Sequence, residues 1–376
     1  MGGVRESATM AVDARAKQLA AEGKTIYNLT AGELATDTPD YIQAAVAKKL
    51  HLNKYTPPAG LSELRREIAA SSREFYGLDW IKPANVVATA STKPAMYASL
   101  LALVNRGDEV ILPTPAWPTH NHLIELAGGT VVEVPLTDDF DLDADAIAAR
   151  ITSKTKAVVL NSPHNPTGAV FSKAALTKLA DRLRGQAITI IADDIYVKLV
   201  YDKAFTPVST CGFEHLVIIN GFSKSQALTG WRIGYLIADE VIAKAAASLL
   251  SHITGNAPVP SQHAALAALE RGDRPPATTI TSLKRQRQLV DDELKRISGL
   301  KYHLPGGAFY FFLDLRGITK NSLQWCEDLL NETGVVLVPG EAFGAPGFAR
   351  LTFTAPEPTL KKALRELQKF IAGRRP

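Results

Sequence analysis

Lys224 and Arg232 are the two charged residues in NGFSKSQALTGWRIGY, a stretch from Asn220 to Tyr235 that is otherwise small, apolar or neutral. A lone lysine is nearly always a solvated surface group. This one lies between two runs that read as buried strands, which reverses the odds. A lysine amine held in a pocket reacts with carbonyl carbons, and a guanidinium beside it suits an anion. Other polar residues follow apolar runs in the same way. Ser91, Thr92 and Lys93 come after NVVAT and open a helix, where free backbone N–H groups receive anions; plain N-capping also explains Ser91 and Thr92. Trp117 follows EVIL at a loop-to-helix corner, where it can pack on the core or stack on a flat ligand. Asn165 sits inside SPHNPTG, either as a turn former or as a donor. Asp193, Asp194 and Tyr196 follow ITIIA; one acid can cap the next helix while the other faces the strand ends.

These residues need a frame that brings strand ends to one edge. The middle of the chain supplies it. NVVAT, EVIL, TVVEV, KAVVLN, AITIIAD, LVIIN and RIGYLIA are apolar runs, and helical stretches separate most of them: 93–107, 118–127 and 172–183. Continuous apolar strands alternating with helices predict a parallel sheet covered on both faces. In such a sheet, ligands bind beyond the carboxyl ends of the strands. After about Thr281 the pattern changes to α+β, with a charged helix (LKRQRQLVDDELKRI), short strands (AFYFFLDL, VVLVP) and a last helix (PTLKKALRELQKFI). The first forty residues hold one helix and one short strand, too little to stand alone, and are expected to pack with the C-terminal part.

Composition narrows the class. The chain has 376 residues, enough for two domains, with 46% hydrophobic and 21% charged residues, a globular balance. Its 42 basic and 38 acidic residues leave a net +4 spread thinly, so no basic run argues for nucleic acid. Cys211 and Cys326 are far apart with no partner for a metal site, so no metal is expected. Two thiols fit a reducing compartment. Without a signal-like start or a membrane-length apolar run, the expectation is a cytoplasmic protein.

An amine, an anion cradle, an aromatic plate, an acid, and amide and phenol donors stand at one sheet edge. Pyridoxal 5′-phosphate offers a natural counterpart to each: aldehyde, phosphate, pyridine ring, ring nitrogen and phenolic oxygen. Here the sequence resembles the class I aminotransferases of pyridoxal-phosphate fold type I, in the bacterial aspartate aminotransferase branch. The likeness runs over nearly the whole chain and is carried by KYTPPAGLSELR, NSPHNPTGAVF, DDIY, SKSQALTGWRIGY and GGAFY, in that order. It implies a mostly parallel seven-stranded sheet between helices in a large domain at 46–280. A smaller α+β domain at 281–376 would pack with the segment 1–45. It implies a ping-pong transaminase that moves an amino group from L-aspartate to 2-oxoglutarate.

By the same motifs, Lys224 resembles the lysine that holds the cofactor and later moves the substrate proton. Arg232, Ser91, Thr92, Lys93 and Ser223 resemble the phosphate site. Asp193 resembles the acid on the ring nitrogen, and Tyr196 and Asn165 the partners of the phenolic oxygen. Trp117 resembles the stacking aromatic. Arg350, in ARLTF, resembles the grip on the substrate α-carboxylate, with Gly32 of TAGE beside it. Lys93 falls where the branch binds the distal carboxylate, with Ser7 and Thr9 near that end. Tyr55 resembles a tyrosine reaching the phosphate from a neighbouring subunit, which implies a homodimer with shared sites.

Departures from the family pattern are GELAT at Gly32–Thr36, where GEPDF is usual, and Gly221, where a serine is frequent. Relatives with near-identical motifs act on prephenate, alanine, aromatic amino acids or kynurenine. A C–S lyase on the same fold is the alternative chemistry. A regulator of this family would carry an added DNA-binding domain, for which the chain is expected to have no room. A nicotinamide enzyme lacks support, since no strand is followed by the glycine fingerprint.

Overall fold

The computed structural model describes residues 8–202 and 205–374. Its centre is a seven-stranded sheet. The strands are β1 (Val86–Thr89), β2 (Glu109–Thr114), β3 (Thr130–Pro135), β4 (Thr155–Asn161), β5 (Thr189–Asp193), β6 (Leu216–Gly221) and β7 (Gly234–Ile237). Their spatial order is β1-β7-β6-β5-β4-β2-β3. Pairs from β6 through β3 are parallel, as the apolar runs predict. β7 is the exception and runs antiparallel to both β1 and β6. No helix separates β6 from β7, so the chain turns back directly, and a strand without a crossover helix pairs antiparallel.

Helices cover both faces. Thr92–Leu103 and Glu240–Ile253 pack with Val87, Val110, Val159 and Val217 on one side. Asp40–Ala47, Ser62–Tyr76 and Val259–Glu270 pack with Val86, Ile218 and Ile237 on the other. Every residue of β1, β5 and β7 is buried. Burying one such aliphatic side chain is worth about 1.5–3 kcal/mol, so the sheet is a rigid platform for whatever stands at its edge.

A second core lies beside it. Strands Lys301–Tyr302, Tyr310–Asp314, Val338–Pro339 and Phe348–Thr352 form an antiparallel sheet. Helices Ala277–Leu294, Ser322–Thr333 and Glu357–Gly373 complete the layer, and their Leu283, Leu329 and Leu364 share a core with Phe311 and Leu351. The chain start joins this unit. Tyr27–Asn28 pairs in parallel with Val335–Val336, and Leu29 and Leu34 are buried in the same core.

Candidate active site

The strand register explains why the polar residues meet. Asn161 at the end of β4 pairs with Asp193 at the end of β5. Gly234, which opens β7, pairs with Gly221 closing β6 and with Thr89 closing β1. Because β7 is reversed, Arg232, two residues before it, lies at the same edge as Lys224, which follows β6. The two cations of the opening stretch are brought together by that turnback.

A cavity of about 710 Å³ opens at this edge. It is lined by Lys224, Arg232, Ser223, Ser91, Thr92, Lys93, Trp117, Asn165, Asp193, Tyr196, Gly32 and Arg350. Tyr55 is not among the lining residues; its side chain is 99% exposed. Ser7 lies outside the described residues, as does the side chain of Thr9.

Ser91 stands at the N-cap of helix Thr92–Leu103, but its side chain makes no capping bond. Simple N-capping therefore does not account for it, and the first turn, whose Thr92 and Lys93 line the cavity, lacks that acceptor. Its backbone is at φ 93, and Ala227 and Arg232 are also in the positive-φ region. Such backbone costs about 1–3 kcal/mol per residue and gathers at functional sites. Close approach is permitted by Gly234: a Cβ there would lie 2.8 Å from the Ser91 carbonyl carbon and 2.8 Å from the Thr92 nitrogen. A Cβ on Gly221 would meet the Gly234 Cα at 2.9 Å, which gives a packing reason for glycine at this position.

Asp193 is buried, and its Oδ2 lies 3.0 Å from His120 Nε2. Its Oδ1 is buried with no partner among the described residues. The neighbouring Asp194 does something else. No helix follows it, so it caps none; its carboxyl bonds the Tyr76 hydroxyl, which also accepts from Asn220 Nδ2 at 3.2 Å. Burial pushes the Asp194 carboxyl up to about 7, while the Tyr76 bond pulls it down. Asn161 Nδ2 donates to the Asp193 carbonyl at 2.8 Å, and its Oδ1 accepts from the Asn165 N–H at 2.9 Å. Trp117 meets His120 edge to face at 5.3 Å, and the Lys93 amine lies 5.3 Å from the Trp117 ring.

Lys224 donates to the Gly32 carbonyl oxygen. Burial brings its amine down to about 8; Glu33 opposes the fall, Arg232 and Arg350 add to it, and Asp193 opposes it. Tyr196 and Tyr310 share a hydroxyl hydrogen bond of 2.8 Å, and burial raises both phenols. Arg350 is buried between the rings of Tyr310 and Phe343, at 4.5 and 5.0 Å. It donates to Asn165 Oδ1 and to the Thr30 carbonyl, both at 2.9 Å, while its Nε has no partner. It forms no ion pair among the described residues. A buried, unpaired guanidinium is costly unless an anion comes to it.

Three residues that the sequence left unassigned belong here: His120, Tyr310 and Asn161. His120 is three positions after Trp117, on the same face of a first helical turn. Tyr310 ends the quoted GGAFY, and Asn161 closes an apolar strand.

The family model for class I and II aminotransferases matches residues 24–367. The chain is 40% identical to an aspartate aminotransferase of Thermotoga maritima over 374 residues, covering 98% of this chain and 97% of the relative. It is 37% identical to a probable aspartate/prephenate aminotransferase of Aquifex aeolicus, covering 98% and 96%. The structure of aspartate aminotransferase from Thermus thermophilus with maleate superposes with a TM-score of 0.94 at 36% identity, covering 98% of this chain and all of the other.

Proposed function

The chain belongs to the class I and II aminotransferases, which work with pyridoxal 5′-phosphate, and from that premise we propose that it moves the amino group of L-aspartate to 2-oxoglutarate with Lys224 as its reactive amine. When bound, the cofactor supplies an aldehyde carbon for exchanging amines and a pyridinium ring that withdraws electrons from the substrate Cα. The residues present fit it. The unpartnered Asp193 Oδ1 is an acceptor for a ring N–H, and His120 holds the other oxygen. Arg232, Ser223 and the Ser91–Lys93 helix start would hold its phosphate. Trp117 would stack on its ring, and Tyr196 and Asn165 would donate to its phenolic oxygen.

Arg350 takes the substrate α-carboxylate, assisted by the Gly32 backbone. In its unprotonated form, Lys224 takes the proton from the substrate Cα. Its lowered basicity supplies that form at mildly alkaline pH. Lys93 takes the distal carboxylate. Burial, then Arg232, pulls its ammonium below the ordinary lysine range, so a nearby carboxylate gains from restoring the charge.

The observation that carries the reading is the buried guanidinium of Arg350, with no acid to pair it, in one cavity with Lys224 and Lys93. Maleate in the Thermus thermophilus enzyme is a four-carbon dicarboxylate, which supports aspartate. Borohydride reduction of the holoenzyme and peptide mapping should attach the cofactor to the Lys224 peptide. Attachment elsewhere would refute the assignment. Lys93→Met should cut kcat/KM for aspartate by about 10- to 100-fold, the worth of a charged hydrogen bond, and leave alanine turnover almost unchanged. Equal losses on both would remove the distal-carboxylate role. The aspartate/prephenate relative favours one second reading, prephenate as acceptor, which the same assay decides with prephenate in place of 2-oxoglutarate.

The active unit is proposed to be a homodimer in which Tyr55 of each chain serves the other's site, and its full exposure supports this. No described helix is long and apolar enough to cross a membrane. The two free, buried cysteines support a cytoplasmic setting.

A further inference from the structure

Residues 32–38, which begin with the GELAT departure at Gly32–Thr36, are tied to the segment that carries Lys224 and Arg232. Thr38 Oγ1 donates to the Ala227 carbonyl at 3.1 Å, and Trp231 Nε1 donates to Thr38 Oγ1 at 2.9 Å. Thr229 Oγ1 donates to Glu33 Oε2 at 2.8 Å, while the Thr229 carbonyl accepts from Arg232 at 2.9 Å. Thr229 thus touches a carboxylate through its side chain and a guanidinium through its backbone. Glu33 lines the main cavity and also a neighbouring one of about 580 Å³.

Charge in the main cavity is lopsided. Its described lining includes Lys17, Lys93, Lys224, Arg232 and Arg350 but only two carboxylates, Asp193 and Glu33. Asp193 is engaged by His120. Glu33 is the remaining acid. We propose that Glu33 is a positioning residue for Lys224: clamped by Thr229, its carboxylate is the fixed counter-charge of the reactive amine, and its loop holds the Gly32 carbonyl in reach of that amine.

The inference rests on Lys224 being the reactive lysine. The charged groups acting on the Lys224 amine are Glu33 and Asp193, which favour its proton, and Arg232 and Arg350, which oppose it; after burial, Glu33 is the largest. Glu33 itself is exposed at the cavity mouth. Its influence is therefore open to screening by salt, and its substitution leaves the core untouched. The clamp sets the pH at which Lys224 sheds its proton, because an amine without its counter-charge deprotonates more readily.

The test is pH-dependent labelling of Lys224 by trinitrobenzenesulfonate in the full chain freed of cofactor, read by peptide mass spectrometry. The wild-type midpoint is expected at about 8. Glu33→Gln keeps the acceptor for Thr229 but removes the charge, and should lower the midpoint by about half a unit or more. Molar salt should lower the wild-type midpoint, because Glu33 outweighs the exposed Arg232, and raise the Glu33→Gln midpoint, where Arg232 is left to be screened alone. Thr229→Val, which frees the carboxylate, should shift the midpoint the same way by less. A purely structural loop would move none of these. Coincident midpoints for wild type and both variants, or an upward shift in Glu33→Gln, overturn the proposal. Because labelling is read at Lys224 whatever lysine carries the cofactor, failure of the clamp is distinguishable from failure of the functional reading, which borohydride mapping of the wild-type holoenzyme decides.

Discussion

Single residues at this site are defined by what they lack. Arg350 has no acid, and Asp193 Oδ1 has no donor among the described residues. Arg350→Lys keeps the charge but loses the planar fork, so kcat/KM for every amino acid should fall by about 10- to 100-fold. That uniform loss contrasts with the substrate-selective loss expected for Lys93→Met, and steady-state kinetics on aspartate and alanine separates them. Asp194 is expected to show itself in stability. Its carboxyl holds a proton up to about 7 in the fold, against about 4 in an unfolded chain. Between those values the unfolded state releases a proton that the native state keeps, so native stability falls as pH rises. Asp194→Asn removes this dependence. Its melting temperature relative to wild type should climb from pH 4 to pH 7 and then level off; a constant offset would show that Asp194 does not titrate there. The charged residues of the site were legible in the sequence because lysine, arginine and aspartate are conspicuous within apolar runs. His120 and Tyr310 were not, because each also suits an ordinary core position.

Elements set the distances between those residues. The reversed strand β7 places Arg232 next to Lys224, and Gly234 lets the Ser91–Thr92 helix start approach it. Gly234→Ala forces a Cβ into that backbone, at a stability cost of about 1–3 kcal/mol. If the helix start is the phosphate site, the Kd for pyridoxal 5′-phosphate should rise while that for unphosphorylated pyridoxal holds, as fluorescence titration would show. Equal changes for both ligands would place the phosphate elsewhere. The parallel strands were legible because strands covered on both faces read as unbroken apolar runs. Strand direction was not, since a buried run looks the same either way; only the missing helix between Gly221 and Gly234 hinted at reversal. Helix Val259–Glu270 escaped for a related reason. Residues 261–268 are all buried, so it shows no amphipathic stripe.

At the scale of the molecule, the site lies where two cores face each other. Lys224, Asp193 and Trp117 come from the large sheet, whereas Arg350 comes from the antiparallel sheet and Gly32 from the chain start. A division near residues 45 and 280 belongs to this reading and makes substrate binding a contact between units. The proposed dimer adds a third source. In hybrids of a Tyr55→Phe chain with a Lys224→Ala chain, one site would combine the intact Lys224 of one subunit with the intact Tyr55 of the other. Such hybrids should recover about half the activity per dimer if Tyr55 works across the interface. Hybrids no better than the Tyr55→Phe parent would place its action within one chain. The most direct measurement is the visible absorbance of the purified holoenzyme as one amino acid is added with no oxo acid present. The expected result is a cofactor band that bleaches with aspartate and far less with alanine or phenylalanine. A band that bleaches best with a neutral or aromatic amino acid would contradict the substrate assignment, and no band after adding pyridoxal 5′-phosphate would contradict the role of Lys224 itself.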